Sequence, residues 1–162
     1  MFTKTSALLM AVTLSLTACS SNSDTDTAAT EPVSVQVTGE YGSEPVVVIT
    51  PGAPVTELEV TDLIVGTGDE LTSDSTLTAH YVGYGATTGQ MFDASWVRGE
   101  PATFPLANVI LGWQGGLLGM QVGGRRLLVI PSELGYGINP PAGSGIEPGE
   151  TLIFVVDLVS FE

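Results

Sequence analysis

Positive charge is scarce in this 162-residue chain: four Lys and Arg stand against 18 Asp and Glu, a formal net charge of −14. Affinity for a phosphate backbone comes from Lys and Arg, so the deficit argues against nucleic-acid binding. A single Cys excludes an internal disulfide framework, and one Cys with one His excludes the common zinc sites. No metal or cofactor is expected. Good helix-forming stretches are also few, because 20 Gly and 10 Pro are spread through the chain. Both residues disfavour helix interiors, which excludes a helical bundle or coiled coil. The length fits one domain with appendages.

What is present begins with a targeting pattern. Lys4 is followed by apolar and small residues from Ala7 to Ala18. That run is too short to span a bilayer core, which takes roughly 20 residues, but suits the apolar region of a secretory signal. It ends Leu16-Thr17-Ala18-Cys19. This resembles the lipobox of bacterial lipoproteins, which implies cleavage before Cys19 and lipidation of its thiol. The competing reading is a plain signal peptide with an incidental Cys. Residues 1–18 are thus expected to be a lipoprotein signal peptide, and the protein to be extracytoplasmic and lipid-anchored to the bacterial cell membrane. Residues 19–32 are polar and lack large apolar side chains. They cannot bury enough surface to offset their ordering entropy and read as a disordered tether.

From Val33 the pattern becomes that of strands. Val33, Val35 and Val37 alternate with polar residues, and Val46–Ile49 is a β-branched run between prolines. Residues 33–54 read as an N-terminal β extension, and residues 55–162 as the main domain. In the latter, Val55–Val65 alternates, with Leu58, Val60 and Ile64 assigned to one face. Thr76–Val82, Arg125–Ile130 and Thr151–Phe161 are further strands, and Gly83–Gly89 is a hairpin loop. In the last strand, Leu152, Phe154, Val156, Leu158 and Ser160 are expected on one face. Ile153, Val155, Asp157, Val159 and Phe161 take the other. One segment alone reads as helical, Leu111–Met120. It holds four Gly, each worth about 1 kcal/mol against helix, so it needs a sheet to support it through Trp113, Leu117 and Leu118. The expectation is an α+β fold.

Six motifs then stand in order: His80-Tyr81-Val82-Gly83; Phe92-Asp93-Ala94-Ser95; Val109-Ile110-Leu111-Gly112-Trp113; Gly123-Gly124-Arg125-Arg126; Ile130-Pro131 with Gly135-Tyr136-Gly137; and Leu152–Leu158. In this order and spacing the chain resembles the FKBP-type peptidyl-prolyl cis–trans isomerases over about residues 55–162. The resemblance implies a five- to six-stranded antiparallel sheet curled around one short α-helix, with an aromatic site between them. It implies catalytic roles for Tyr81, Phe92, Asp93, Ile110, Trp113, Tyr136 and Phe154. The Ile110 backbone N–H and the Tyr136 hydroxyl would hold substrate carbonyls, and Trp113 would be the pocket floor. Substrate-binding roles are implied for Arg98, Phe104, Val109 and Ile146. Arg98 would pair with Asp93, and Ile146 would be an apolar wall. Implied partners are proteins with Xaa-Pro bonds and macrolides of the FK506/rapamycin class, with the chain a monomer. Two departures stand out: the stretch from Phe92 to Trp113 is about two residues shorter than in the best-known small members, and Ala102 replaces a Phe common at the rim. A more open rim would weaken macrolide binding more than turnover.

The chemistry suits such a site. Amide resonance gives peptide rotation a barrier of roughly 18–20 kcal/mol, and Xaa-Pro bonds exchange over tens to hundreds of seconds. Rotation needs no nucleophile or proton relay, only preferential binding of the twisted, less polar amide. Taken singly, Trp113, Phe92, Phe104 and Phe154 could be ordinary core. Asp93 with Arg98 could be a surface pair worth at most about 1 kcal/mol. His80 reads as structural, and Asp69, Glu70 and Asp74 as a solvated turn. Asp157, in an apolar strand, needs a partner, either Arg125 or Arg126. Two functions follow: an isomerase, or a non-catalytic chaperone or proline-peptide-binding module using the same pocket.

Overall fold

The computed structural model describes residues 31–162. The signal peptide, Cys19 and almost all of the expected tether lie outside the described residues. Eight strands form, together with two short helices. They are β1 (Ser34–Thr38), β2 (Val46–Thr50), β3 (Glu59–Ile64), β4 (Thr76–Gly85) and β5 (Met91–Ala94), followed by α1 (Ser95–Arg98) and β6 (Ala102–Pro105). Then come α2 (Leu111–Gly116), β7 (Arg125–Ile130) and β8 (Leu152–Phe161).

The principal sheet has six antiparallel strands in the order β3-β7-β8-β4-β5, with β6 paired to the first half of β4. β4 is long enough to hold both, pairing residues 76–79 with β6 and 82–84 with β5. β1 and β2 form a separate antiparallel hairpin. The fold is α+β, as expected.

Strand alternation divides the interior in two. On one face Leu77, Ala79 and Tyr81 of β4, Leu128 and Ile130 of β7, and Leu152, Phe154, Val156 and Leu158 of β8 pack with Trp113 and Leu117. On the other, Val82, Leu127, Val129, Ile153 and Val155 pack with Val35, Val37, Val47 and Ile49 of the hairpin. All six residues of β7 are therefore buried. A strand covered on both faces reads as a continuous apolar run.

α2 lies directly on β7. A Cβ on Gly112 would collide with Ile130, and one on Gly116 would stand 2.7 Å from Leu128. The glycines weaken the helix locally and let it approach the sheet.

Several details differ from the expectation. The helix ends at Gly116 rather than Met120, with Gly119 at φ 68° turning the chain away. A second helical turn, α1, follows β5 where none was expected. Val60 is 44% exposed, because β3 is an edge strand of the sheet. In β8 a register shift at Val159 sets Leu158 opposite Ala79 but Ser160 opposite Thr78. The extra residue reverses the alternation, so Phe161 packs on the Leu77 side.

Asp157 takes Arg125 as its partner, and Arg126 goes elsewhere. Adjacent strand residues point to opposite faces. Arg125 faces the hairpin with Asp157, while Arg126 faces α2. There it donates to the Gly116 and Leu118 carbonyls and pairs with Asp62 at 2.6 Å. It thereby satisfies carbonyls left free at the helix end.

Candidate active site

A cavity of about 300 Å³ opens between α2 and the sheet. Trp113, 4% exposed, forms its floor. Edge-to-face rings surround it: Tyr81 at 5.4 Å, Phe154 at 5.3 Å and Phe104 at 5.9 Å between centroids. Phe92 meets Phe154 in the same way at 5.5 Å. Such contacts place positive ring edges on negative faces and hold each ring in one orientation. Gly83 makes this packing possible, since a Cβ there would stand 2.7 Å from both Phe92 and Phe154.

Each element contributes by its position. β4 and β8 present Tyr81 and Phe154 on the face that meets α2, and β5 brings Phe92 and Asp93. The β6 strand supplies Phe104. The turn leading into α2 supplies Asn108, Val109 and Ile110, and the loop after β7 supplies Tyr136. Gln114 holds the entry turn by donating to the Val109 carbonyl at 2.8 Å and the Ala107 carbonyl at 3.3 Å. Ile110 caps α2, and its carbonyl accepts from Trp113 and Gln114. Its own N–H has no hydrogen-bond partner among the described residues, and Ile110 is one of the residues that line the cavity. The Trp113 indole N–H is buried and also lacks a partner among the described residues.

One polar network borders this apolar space. The Tyr81 hydroxyl donates to Asp93 Oδ2. Arg98 donates to Asp93 Oδ1 at 2.8 Å and to the Tyr81 hydroxyl at 2.8 Å. Burial, reinforced by the Asp93 hydrogen bond, pushes the Tyr81 phenol up to about 12. Burial also disfavours the Asp93 carboxylate, but hydrogen bonds from Tyr81 and Arg98 outweigh it and hold the group below its usual value. Tyr136 is raised, by burial first and then by the Asp93 charge. All three therefore keep fixed protonation states at neutral pH: two neutral phenols and one carboxylate.

Nine of the expected residues meet at the cavity: Tyr81, Phe92, Asp93, Phe104, Val109, Ile110, Trp113, Tyr136 and Phe154. Two do not line it. Arg98 stands beside Asp93 and Tyr81 and hydrogen-bonds both. Ile146, expected as a wall, does not line the cavity; it is buried in the core cluster that also holds Trp113, Tyr81 and Phe154, on a loop in which Gly143 and Gly145 take positive φ. Asn108 was not anticipated; a lone polar residue in a 3-10 turn carries no pattern to single it out.

Residues 68–159 match the FKBP-type peptidyl-prolyl cis-trans isomerase family. The FK506-binding protein of Streptomyces anulatus is 49% identical over 111 residues, covering 67% of this chain and 90% of the relative. The FK506-binding protein of Neisseria meningitidis serogroup B is 44% identical over 104 residues, or 63% and 94%. Among solved structures, FkpA from Escherichia coli aligns with a TM-score of 0.61 at 39% identity, over 66% of this chain and 49% of FkpA. AtFKBP13 aligns with a TM-score of 0.58 at 35% identity, over 65% and 93%. The shared region holds the aromatic cavity, the Tyr81–Asp93–Arg98 network and the Ile110 turn, and on these grounds the chain belongs to the family of FKBP-type peptidyl-prolyl cis–trans isomerases.

Proposed function

We propose that this isomerase works outside the cytoplasm, held at the cell membrane by lipid on Cys19, on secreted or envelope proteins whose folding waits on Xaa-Pro rotation. The reaction itself follows from the cavity. A planar Xaa-Pro amide is stabilised by resonance, and twisting it removes both the resonance and part of its polarity. A prolyl ring seated on Trp113 within the Tyr81, Phe92 and Phe154 rings leaves water for an apolar surface. The twisted amide loses less on that transfer than the planar one. The free Ile110 N–H and the neutral Tyr136 hydroxyl are donors for the carbonyls that flank the rotating bond. Catalysis is then preferential binding of the twisted state. The observation that carries this reading is an aromatic cavity floored by Trp113 and lined by Ile110, whose N–H has no partner among the described residues.

Cleavage and lipidation at Cys19 are supported by the apolar run that ends Leu16-Thr17-Ala18-Cys19. Acyl chains on that thiol would supply the anchoring that the acidic domain cannot, since a surface poor in cations has little attraction for anionic lipid. The same cavity is proposed to accept macrolides of the FK506/rapamycin class, more weakly than usual because Ala102 leaves the rim open, and the chain to act as a monomer.

A protease-coupled assay with an Xaa-Pro peptide tests the activity. Acceleration at micromolar protein is expected. No acceleration with an intact fold by circular dichroism would leave the chaperone or proline-peptide-binding reading in its place. Mass spectrometry of the mature N-terminus tests the anchor: a diacylglycerol-modified Cys19 is expected, and an unmodified thiol would remove the membrane assignment.

A further inference from the structure

Glu150 is a buried carboxylate, 4% exposed, and none of the ion pairs among the described residues includes it. Four donors replace its water. Oε1 accepts the Thr87 N–H at 3.2 Å, the Thr88 N–H at 3.0 Å and the Thr88 hydroxyl at 3.1 Å. Oε2 accepts the Glu147 N–H at 2.8 Å. Burying a carboxylate is unfavourable unless such donors meet it, so the group is held by all four together. The fold also makes room for it: a Cβ on Gly85 would collide with the Glu150 carboxylate.

The donors come from two separate segments that each lead to cavity residues without lining the cavity themselves. Thr87 and Thr88 form the tip of the β4–β5 hairpin, whose second strand carries Phe92 and Asp93. Glu147 lies in the loop that begins just after Tyr136. That loop is closed at its base by the Gly149 N–H donating to the Gly137 carbonyl at 2.8 Å. Beside the Ala86 N–H, which donates to the Thr151 carbonyl at 2.9 Å, this one side chain therefore adds a second tie between the segment bearing Phe92 and Asp93 and the segment bearing Tyr136.

We propose that Glu150 is a positioning residue for isomerisation, setting the spacing across the cleft at which the Tyr136 hydroxyl meets a substrate carbonyl. This rests on the isomerase reading above. The apolar floor is built by α2, β4 and β8 and does not depend on Glu150. Its loss should therefore leave prolyl binding intact and weaken the orientation needed as the bond twists. In kinetic terms kcat falls while KM holds.

Glu150→Gln separates this role from general stability. The single amide oxygen can serve either the hairpin donors or the Glu147 N–H, and the amide NH2 then faces the other set, so the side chain can no longer hold both, while the Glu150 N–H still donates to the Glu147 carbonyl at 3.2 Å. Kinetics by NMR exchange across a substrate series yield kcat and KM separately. The expected result is a folded variant whose kcat falls on the order of three- to tenfold with KM changed by less than about twofold. An unchanged kcat, or a rise in KM alone, overturns the proposal. If Glu150→Gln does not fold, Thr88→Val removes one donor from Oε1 and is read the same way. A wild-type chain without activity would overturn the isomerase reading and this role with it. An active wild type with an unaffected Glu150→Gln overturns this role alone.

Discussion

The Arg125 guanidinium meets the Asp157 carboxylate at 2.5 Å across strands β7 and β8, with side-chain exposures of 1% and 3%. The rest of the pair's hydrogen bonds come from the N-terminal hairpin. Arg125 donates to the Gly39 and Ser43 carbonyls, Asp157 accepts the Gly42 N–H, and the Tyr41 hydroxyl donates to the Leu158 carbonyl. A buried pair is tolerable only when such partners complete it. The hairpin is thus part of the folded unit, although it precedes the segment that matches the family.

Removing one member of this pair leaves the other charge buried. Arg125→Met is expected to cost about 3–5 kcal/mol, read as a lower urea midpoint. A chain starting at Val55 should be destabilised as well, because it exposes both the pair and the second core. Wild-type stability in that truncated chain would refute the integral role of the hairpin.

The Tyr81–Asp93–Arg98 network predicts that activity is lost before stability. Asp93 and Arg98 are each more than two-fifths exposed, so the ion pair itself adds little to folding. Asp93→Ala frees the Tyr81 hydroxyl and the Arg98 side chain at the cavity edge. A fall in kcat/KM on the order of tenfold or more is expected, with a melting temperature close to wild type. Parallel loss of both would assign Asp93 to the fold instead.

The pH dependence follows from two opposite shifts. Asp93, held below its usual 3.8, binds its proton less tightly folded than unfolded. Its stabilising contribution is full above the unfolded value and is lost as pH falls through the lowered folded one. Tyr81, raised from 10.0 to about 12, binds its proton more tightly folded. Its contribution is full below the unfolded value and is lost as pH rises through the folded one. Isomerisation followed without a coupled protease should therefore be flat from roughly pH 5 to 9. A break near neutrality would show that another group controls the rate.

Gly83→Ala would push on the Phe92 and Phe154 rings, and Gly112→Ala on Ile130 beneath α2. Overpacking of this kind costs about 1–3 kcal/mol. The two variants should differ in kind: the first distorts the cavity and lowers kcat/KM beyond its effect on stability, and the second mainly lifts the helix and lowers the melting temperature. Equal activity losses per unit of stability would argue against a special role for Gly83.

Much of the fold was legible where a residue's surroundings follow from its own strand. Residues 127–130 of β7 and 152–156 of β8 are apolar on both faces, and the assignment needed no knowledge of their neighbours. The cavity aromatics other than Phe104 stood in recognisable motifs. Ile146 was harder, because the loop from Gly137 to Gly149 has no periodic pattern, and its path, set by glycines at positive φ, sends that side chain into the core. α1 was also hidden, since four residues carry too little pattern to mark a helix. No motif or spacing marks Glu150, and only the approach of Thr87 and Thr88, more than 60 positions away, makes it a tie.

The residues alone determined the α+β class, the family motifs and the aromatic character of the site, because these depend on local alternation and on spacings along the chain. Tertiary structure decided which partner each charge takes. Arg125 and Arg126 are neighbours and chemically alike, yet strand pleating sends them to opposite faces, and the pairing of β7 with β8 sets Arg125 opposite Asp157. Register is a property of two strands together. The scarce positive charge is spent accordingly: all three arginines form ion pairs, with Asp93, Asp157 and Asp62.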